Sequence, residues 1–185
     1  RIVHLVDDGR HLECTIRQVV RSLVRDQRNA VVTGDRVLVL EDTIELQCAA
    51  RDHVPLRTRA GVVSMTELVR ATMRLRPDRV IVGEVRGGEA LDLVKVWGTG
   101  HPGGVGTIHA GTALGALRRM EQLIQEAVVT VPRALLADTI DLIAVLVRDG
   151  HGRHLAELAR VEGIDAATGD YRLTPLAPPN LGDAP

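Results

Sequence analysis

Short apolar runs alternate with stretches of helical periodicity along this chain. The segments 37–40 and 79–82 are short, rich in β-branched side chains and bounded by polar or turn-forming residues, which is typical of strands buried in a parallel sheet. Ser64 and Glu67 have the spacing of a capping box, which predicts a helix that begins there and runs to about Leu75. The alternation predicts an α/β fold with a mostly parallel sheet flanked by helices.

The same patterns predict the elements of the remaining chain. Residues 2–6 are expected to form a strand, and a helix with one apolar face is expected after it. That face consists of Ile16, Val19, Val20, Leu23 and Val24. Further helices are predicted at residues 88–98, at 113–127 and after Pro132, and further strands at 141–147, 154–161 and 171–173. We expect residues 1–173 to form one domain, and residues 174–185, rich in Pro, Ala and Gly, to form a loose tail.

Carboxylates follow both of the apolar strands. Glu41 and Asp42 end the first, and Glu84 comes directly after the second. Ligands of open α/β sheets bind outside the carboxyl ends of the strands, where a carboxylate can hold Mg²⁺ or orient an attacking water. A single pair such as Glu84 and Arg86 would most often be a solvated surface pair. Because the arrangement recurs, it predicts one shared site for a polyanion and a metal ion.

Two histidines bracket a glycine-rich segment, GHPGGVGTIHA. Its glycines permit a close approach of the backbone to a ligand, and His101 and His109 can donate hydrogen bonds to phosphate oxygens. The spacing fits neither paired histidines on one helix face nor a Cys/His zinc pattern. We therefore expect a phosphate-contacting loop beside the acidic strand ends.

Composition excludes several other classes of function. The net charge of -1 gives no electrostatic basis for direct nucleic-acid binding, and Trp97 and Tyr171, the only aromatic residues, provide no stacking platform. Two cysteines are too few for a disulfide framework and fit a reducing cytosol. No apolar run approaches the roughly 20 residues that a membrane span requires.

Three segments resemble a known family, the traffic ATPases of type II and type IV secretion. Residues 40–47 (LEDTIELQ) resemble its acidic box, residues 76–87 (RPDRVIVGEVRG) its Walker B segment, and residues 99–110 its histidine box. The resemblance covers about residues 36–147 and is strongest to the conjugal-transfer members. The ATPases of tight-adherence pili are the alternative within the family.

The resemblance implies a RecA-like P-loop NTPase core that hydrolyses ATP with Mg²⁺, in a cytoplasmic hexamer that powers conjugative DNA transfer or pilus assembly. Its partners would be other secretion components at the inner face of the bacterial inner membrane, and the family's N-terminal domain would be missing from this chain. Roles carry over to a small set of side chains. Glu84 would be the general base and a Mg²⁺ ligand, Glu41 and Asp42 would act through Mg²⁺ and water, and Arg86, His101 and His109 would contact the nucleotide.

The P-loop is where the chain departs from the family. A P-loop needs G-x-x-x-x-G-K-[ST] after the first strand, so that backbone N–H groups and a lysine hold the phosphates. In residues 7–15, Glu13 takes the lysine position, Cys14 takes the hydroxyl position, and Thr15 alone fits. The sequence therefore predicts weak ATP binding. Either the chain has diverged to a non-hydrolysing assembly subunit, or the gene reading is altered across residues 7–14.

Overall fold

The computed structural model describes residues 2–7, 10–15 and 19–21 as backbone strands, and describes residues 35–101, 103–150 and 152–176. The strands are β1 (Ile2–Asp7), β2 (Arg10–Thr15), β3 (Val19–Arg21), β4 (Arg36–Glu41), β5 (Asp52–Arg57), β6 (Arg79–Val82), β7 (Val105–Gly106), β8 (Leu142–Asp149), β9 (Gly152–Ile164) and β10 (Tyr171–Pro175). The helices are α1 (Met65–Leu75), α2 (Glu89–Gly98), α3 (Ala113–Gln125) and α4 (Arg133–Thr139).

Eight of the described strands form one sheet in the order β10-β9-β8-β3-β7-β6-β4-β5. Neighbours among β5, β4, β6 and β7 pair in parallel, and the remaining neighbours pair antiparallel. Since each antiparallel step reverses the direction, only β3 and β9 run against the other six strands. The predicted mostly parallel sheet is confirmed.

The helices contact one another in a row, α1 with α2, and α2 with both α3 and α4. Their apolar faces join β4, β6, β8 and β9 in one core, in which Leu38, Leu93 and Leu123 are fully buried. Ser64 caps α1 as predicted, since its hydroxyl accepts from the Glu67 N–H while the Glu67 carboxylate accepts from the Ser64 N–H. Within the described residues, no helix is long and apolar enough to cross a membrane.

Most of the predicted elements are confirmed as α1 to α4, β1, β4, β6, β8, β9 and β10. The helix predicted on Ile16 to Val24 is wrong at Val19–Arg21, which is β3; the rest of it lies outside the described residues. β3 pairs with β7 on one side and β8 on the other, and such pairing suits β-branched valines better than a helix does. Thr174 and Pro175, which were predicted to lie in the tail, belong to β10. Residues 177–185 are outside the described part, so the rest of the tail stays a prediction.

The glycines of the paired-histidine segment pack against core side chains. A Cβ added to Gly104 or Gly106 would overlap the Trp97 indole, and one added to Gly103 would overlap the Arg79 guanidinium. The Trp97 indole N–H in turn donates to the Val80 carbonyl at 3.1 Å. These three glycines are therefore required for packing between α2 and β6, whereas the sequence predicted an approach to a ligand.

The C-terminus of α1 carries a strained backbone. Arg76 adopts the left-handed conformation, with φ of 48°, just after the last helical residue. Because glycine adopts this conformation without steric cost, Arg76→Gly should raise the free energy of unfolding by about 1 kcal/mol. Arg74→Gly, inside the last turn of the same helix, should lower it by about 1 kcal/mol. Urea unfolding of both variants tests the opposite signs, and a loss of stability in both would contradict the assigned conformation.

Gly104→Ala tests the packing of the glycine segment. The added methyl group must displace the buried Trp97 indole, so we expect a loss of about 1 to 3 kcal/mol in the free energy of unfolding and a shift in tryptophan fluorescence. Gly111→Ala is the matched control, because a Cβ there meets no atom within 4 Å and the residue has no positive φ. Equal thermal stability of the two variants would show that Gly104 does not pack on Trp97.

Candidate functional site

The carboxyl ends of β4 and β6 lie side by side. Leu40 is the register partner of Val82, and the Gly83 N–H donates to the Leu40 carbonyl at 2.8 Å. The two strands therefore end together, and Glu41 and Glu84 leave the sheet at the same edge. Both line a cavity of about 730 Å³. The predicted convergence of the two acidic strand ends is present in the structure.

Glu84 is the centre of an ionic network in the lining of this cavity. Its Oε1 atom lies 2.8 Å from His109 Nε2, and its Oε2 atom accepts a hydrogen bond from the Arg86 guanidinium. Arg86 also reaches Asp42 at 3.7 Å, and the Thr58 hydroxyl donates to Asp42 at 2.8 Å. The ion pair with Glu84 raises the pKa of the Arg86 guanidinium. Glu84, Arg86, Asp42 and His109 thus form one connected group.

Thr107 fixes the backbone on both sides of Glu84. Its carbonyl accepts from the Val85 N–H at 2.9 Å, and its hydroxyl donates to the Gly83 carbonyl. Thr107 lies two residues before His109, so the same contacts help to hold the His109 ring near the Glu84 carboxylate. The sequence did not point to Thr107, because nothing in the residues around it indicates that it contacts Gly83 and Val85 in the folded chain.

Glu89 holds the turn between Glu84 and α2. Its buried carboxylate accepts N–H bonds from Arg86 at 2.8 Å and from Gly87 at 2.9 Å. These bonds satisfy two backbone donors that precede α2 and place a carboxylate at the positive end of the helix. The backbone of Arg86 is thereby fixed, while its side chain stays 60% exposed and can change partners.

Glu41 is positioned differently from the other predicted acids. It is 3% exposed, and its Oε1 atom accepts the N–H groups of Glu45 at 2.9 Å and Leu46 at 2.7 Å. Its carboxylate therefore shapes the turn that follows β4. Asp42, the next residue, is the acid of this strand end that reaches the Glu84 network.

His101 and Thr15 are not brought to this group by the described contacts. The His101 ring lies 3.1 Å from the Val96 carbonyl at the end of α2, and the nearby Gly103 packs on Arg79, at the beginning of β6. His101 is therefore at the opposite end of β6 from Glu84. Thr15 ends β2, where it pairs with Ile2, and its side chain lies outside the described residues.

The strand expected before a P-loop, β1, pairs antiparallel with β2, which contains most of the residues expected to form the loop. β1 and β2 pair from Ile2 with Thr15 to Asp7 with Arg10. In the sequence the dipeptide Asp-Gly lies between the two strands, and two-residue hairpin turns favour this dipeptide. That signal could have predicted the hairpin from the sequence.

The carboxylates of this site suit a metal ion that binds together with a phosphate ligand. In the ranges 35–101, 103–150 and 152–176, no three His, Cys, Asp or Glu side chains are grouped to hold a metal ion. Glu84 and Asp42 offer carboxylate oxygens on either side of the Arg86 guanidinium. Mg²⁺ is commonly bound by one or two carboxylates together with the phosphates of its substrate, so these two acids fit Mg²⁺ only as part of a Mg²⁺–phosphate complex.

Comparison with known proteins places this arrangement in a family. The family described as "Type II/IV secretion system protein" matches residues 14–169. The chain is 54% identical to the conjugal transfer protein TrbB of Rhizobium radiobacter over 129 residues, which are 70% of this chain and 40% of that protein. It is 34% identical to the type IV secretion system protein PtlH of Bordetella pertussis, over 71% of this chain and 44% of that protein.

A solved relative agrees with the fold. The crystal structure of the VirB11 ATPase from the Brucella suis type IV secretion system, in complex with sulphate, superposes with a TM-score of 0.65 at 28% identity, over 70% of this chain and 41% of that one. This likeness confirms the predicted RecA-like fold class. The chain spans about two-fifths of the length of these relatives. It belongs to the type II/IV secretion system protein family.

Proposed function

We propose that this chain is the nucleotide-dependent motor region of a hexameric type IV secretion ATPase that serves conjugative DNA transfer or pilus assembly. The observation that carries the proposal is the Glu84 group, in which a carboxylate at a parallel strand end contacts His109 and Arg86 over a cavity of about 730 Å³. The conjugal-transfer name of a 54% identical relative supports the assignment to conjugation. The substrate is ATP with its Mg²⁺ ion.

Glu84 is suited to orient the attacking water. Its side chain is 20% exposed, so water reaches it while the sheet edge shelters most of the carboxylate. Thr107 fixes the backbone on both sides of Glu84. A carboxylate on a fixed backbone keeps the geometry that a transition state requires. When Mg²⁺ is bound with the phosphates, it neutralises their charge. Asp42 faces that complex across Arg86, and Glu41 acts by holding the turn that places Asp42.

His109 and Arg86 are the groups that respond to the phosphates. Both side chains are largely exposed, at 78% and 60%, and both are paired to Glu84. A phosphate group competes with the carboxylate for the Arg86 guanidinium and for the His109 N–H, because both are hydrogen-bond donors. Their transfer from Glu84 to the phosphate would release the carboxylate for the water. His101 lies at the other end of β6 from Glu84. It could therefore respond to bound nucleotide only through α2 or through a neighbouring subunit.

The departure of residues 7–15 from the P-loop pattern suggests a second candidate function. If residues 7–15 correspond to the family's P-loop, Glu13 takes the lysine position and would repel phosphates; the family match begins at Cys14. A silent subunit that keeps the family fold for assembly is therefore the alternative to a hydrolysing motor. In either case we propose a location at the inner face of the inner membrane, reached through other secretion components.

Nucleotide affinity separates the two candidates. The unmodified chain should bind a fluorescent Mg²⁺–ATP analogue only at millimolar concentration, because an acid at the lysine position repels phosphate by about 1 to 4 kcal/mol per contact. The combined change Asp7→Gly, Arg10→Gly, Leu12→Gly, Glu13→Lys and Cys14→Thr should tighten binding at least tenfold. Micromolar affinity of the unmodified chain would refute the weak-binding assignment, and a folded repaired variant that still does not bind would place the defect elsewhere.

Glu84→Gln tests the chemical role directly. In the P-loop-repaired variant, we expect turnover to fall about 100-fold or more, on the scale of general-base contributions, while nucleotide affinity changes little. Glu45→Gln is the matched control, since Glu45 lines the same cavity as an exposed carboxylate. Steady-state hydrolysis and thermal unfolding are measured together. Unchanged turnover, or an equal fall in the Glu45 variant, would contradict the role of Glu84.

A further inference from the structure

The loop that carries His109 is attached to the sheet at both of its ends. At its beginning, Thr107 holds the backbone beside Glu84. At its end, the N–H of Ala113, the first residue of α3, donates to the Glu157 carboxylate of β9 at 2.7 Å. Five residues separate the two attachments. The position of His109 between them therefore depends on both.

The bond from Ala113 to Glu157 is separate from the N-cap of α3. Thr112 is the N-cap, and its hydroxyl accepts the Gly115 N–H at 3.0 Å. Glu157 accepts a different N–H, that of the fully buried Ala113, and buried N–H groups need a partner. It also places a negative charge at the positive end of the helix. The bond thus joins the beginning of α3, and with it the end of the His109 loop, to β9.

Glu157 lies on the less exposed face of β9. Exposure alternates along residues 152–157, and Glu157 belongs to the less exposed set. Its register partner is Val145, which is 3% exposed and belongs to the core. A polar group buried beside apolar side chains costs free energy unless it is hydrogen-bonded. The bond to α3 satisfies this carboxylate, and an apolar side chain at the same position could not accept the Ala113 N–H.

The other half of α3 is attached independently of Glu157. The Glu121 carboxylate accepts from the Tyr171 hydroxyl of β10 and from the Arg133 guanidinium of α4, each at 2.6 Å. Arg133 also donates to the Gly169 carbonyl, in the turn between β9 and β10, at 2.6 Å. Loss of the Glu157 bond should therefore release the first turn of α3 and the loop before it, while the rest of the helix stays in place.

We propose that Glu157 is a positioning residue for His109. By holding the first N–H of α3, it keeps the loop where the His109 ring meets the Glu84 carboxylate. This rests on the proposed function of the site, in which His109 exchanges Glu84 for a phosphate group. Glu157 acts through the backbone of the loop, and in this way the antiparallel part of the sheet fixes the geometry of a site built on its parallel part.

The ring signals of His109 in two-dimensional NMR spectra of the nucleotide-free chain test this role. His109→Gln assigns the signals, and Glu84→Gln shows where they lie when the ring has lost its carboxylate partner. Glu157→Ala should move them toward their place in Glu84→Gln, and the Ala113 amide should exchange its hydrogen about tenfold faster or more, as expected for the loss of a hydrogen bond to a charged group. Glu157→Gln keeps an oxygen that can accept the Ala113 N–H and should restore both readouts.

Two control variants separate positioning from a loss of stability. Glu121→Ala removes the other attachment of α3, so it should lower the melting temperature and leave the His109 signals unchanged. Glu162→Ala changes an acid of the same strand that lies outside the cavity lining and should change neither. If Glu157→Ala does not fold, Glu157→Asp takes its place, because it keeps the charge on a side chain one carbon shorter.

The proposal is overturned if the folded Glu157 variant keeps the His109 signals of the unmodified chain. It is also overturned if Glu121→Ala moves these signals as much, or if Glu84→Gln does not move them. All of these spectra are recorded without nucleotide. Normal turnover of Glu84→Gln in the P-loop-repaired variant would therefore refute the hydrolytic function alone and leave the role of Glu157 standing.

Discussion

The parallel register of β4 and β6 is the constraint on which the rest of this structure depends. Because Leu40 pairs with Val82 and the Gly83 N–H bonds to the Leu40 carbonyl, two strands far apart in sequence end at the same level. A shift of this register by one residue would turn every side chain of β6 to the opposite face. Glu84 would then leave the sheet in another direction, and its contacts with Arg86, Asp42 and His109 would be lost.

The loops that follow β4 and β6 are held by hydrogen bonds between side chains and the backbone more than by their ion pairs. Thr107 fixes the residues beside Glu84, Glu41 fixes the turn that places Asp42, and Glu89 fixes Arg86. Under the proposed function, the exposed ends of Arg86 and His109 would exchange a carboxylate for a phosphate without moving the backbone. Surface ion pairs of this kind contribute roughly 0 to 1 kcal/mol, so that exchange would cost little.

The sequence predicted the elements whose signals are local. The capping box of Ser64 and Glu67 was sufficient to predict α1. The acidic ends of two apolar strands were sufficient to predict β4, β6 and the convergence of their ends at the cavity. The sequence does not show contacts that form only in the folded chain. The packing of Gly104 and Gly106 on Trp97 is one such contact, and β3 was interpreted as a helix because its two pairing partners follow about 85 or more residues later.

The decisive experiment is a crystal structure of the chain with Mg²⁺ and a non-hydrolysable ATP analogue at millimolar concentration. We expect the terminal phosphate beside Glu84 and His109, with the Arg86 guanidinium moved from Glu84 to a phosphate oxygen. Nucleotide bound away from the carboxyl ends of β4 and β6, or a phosphate at this edge with the Arg86–Glu84 pair unchanged, would contradict it.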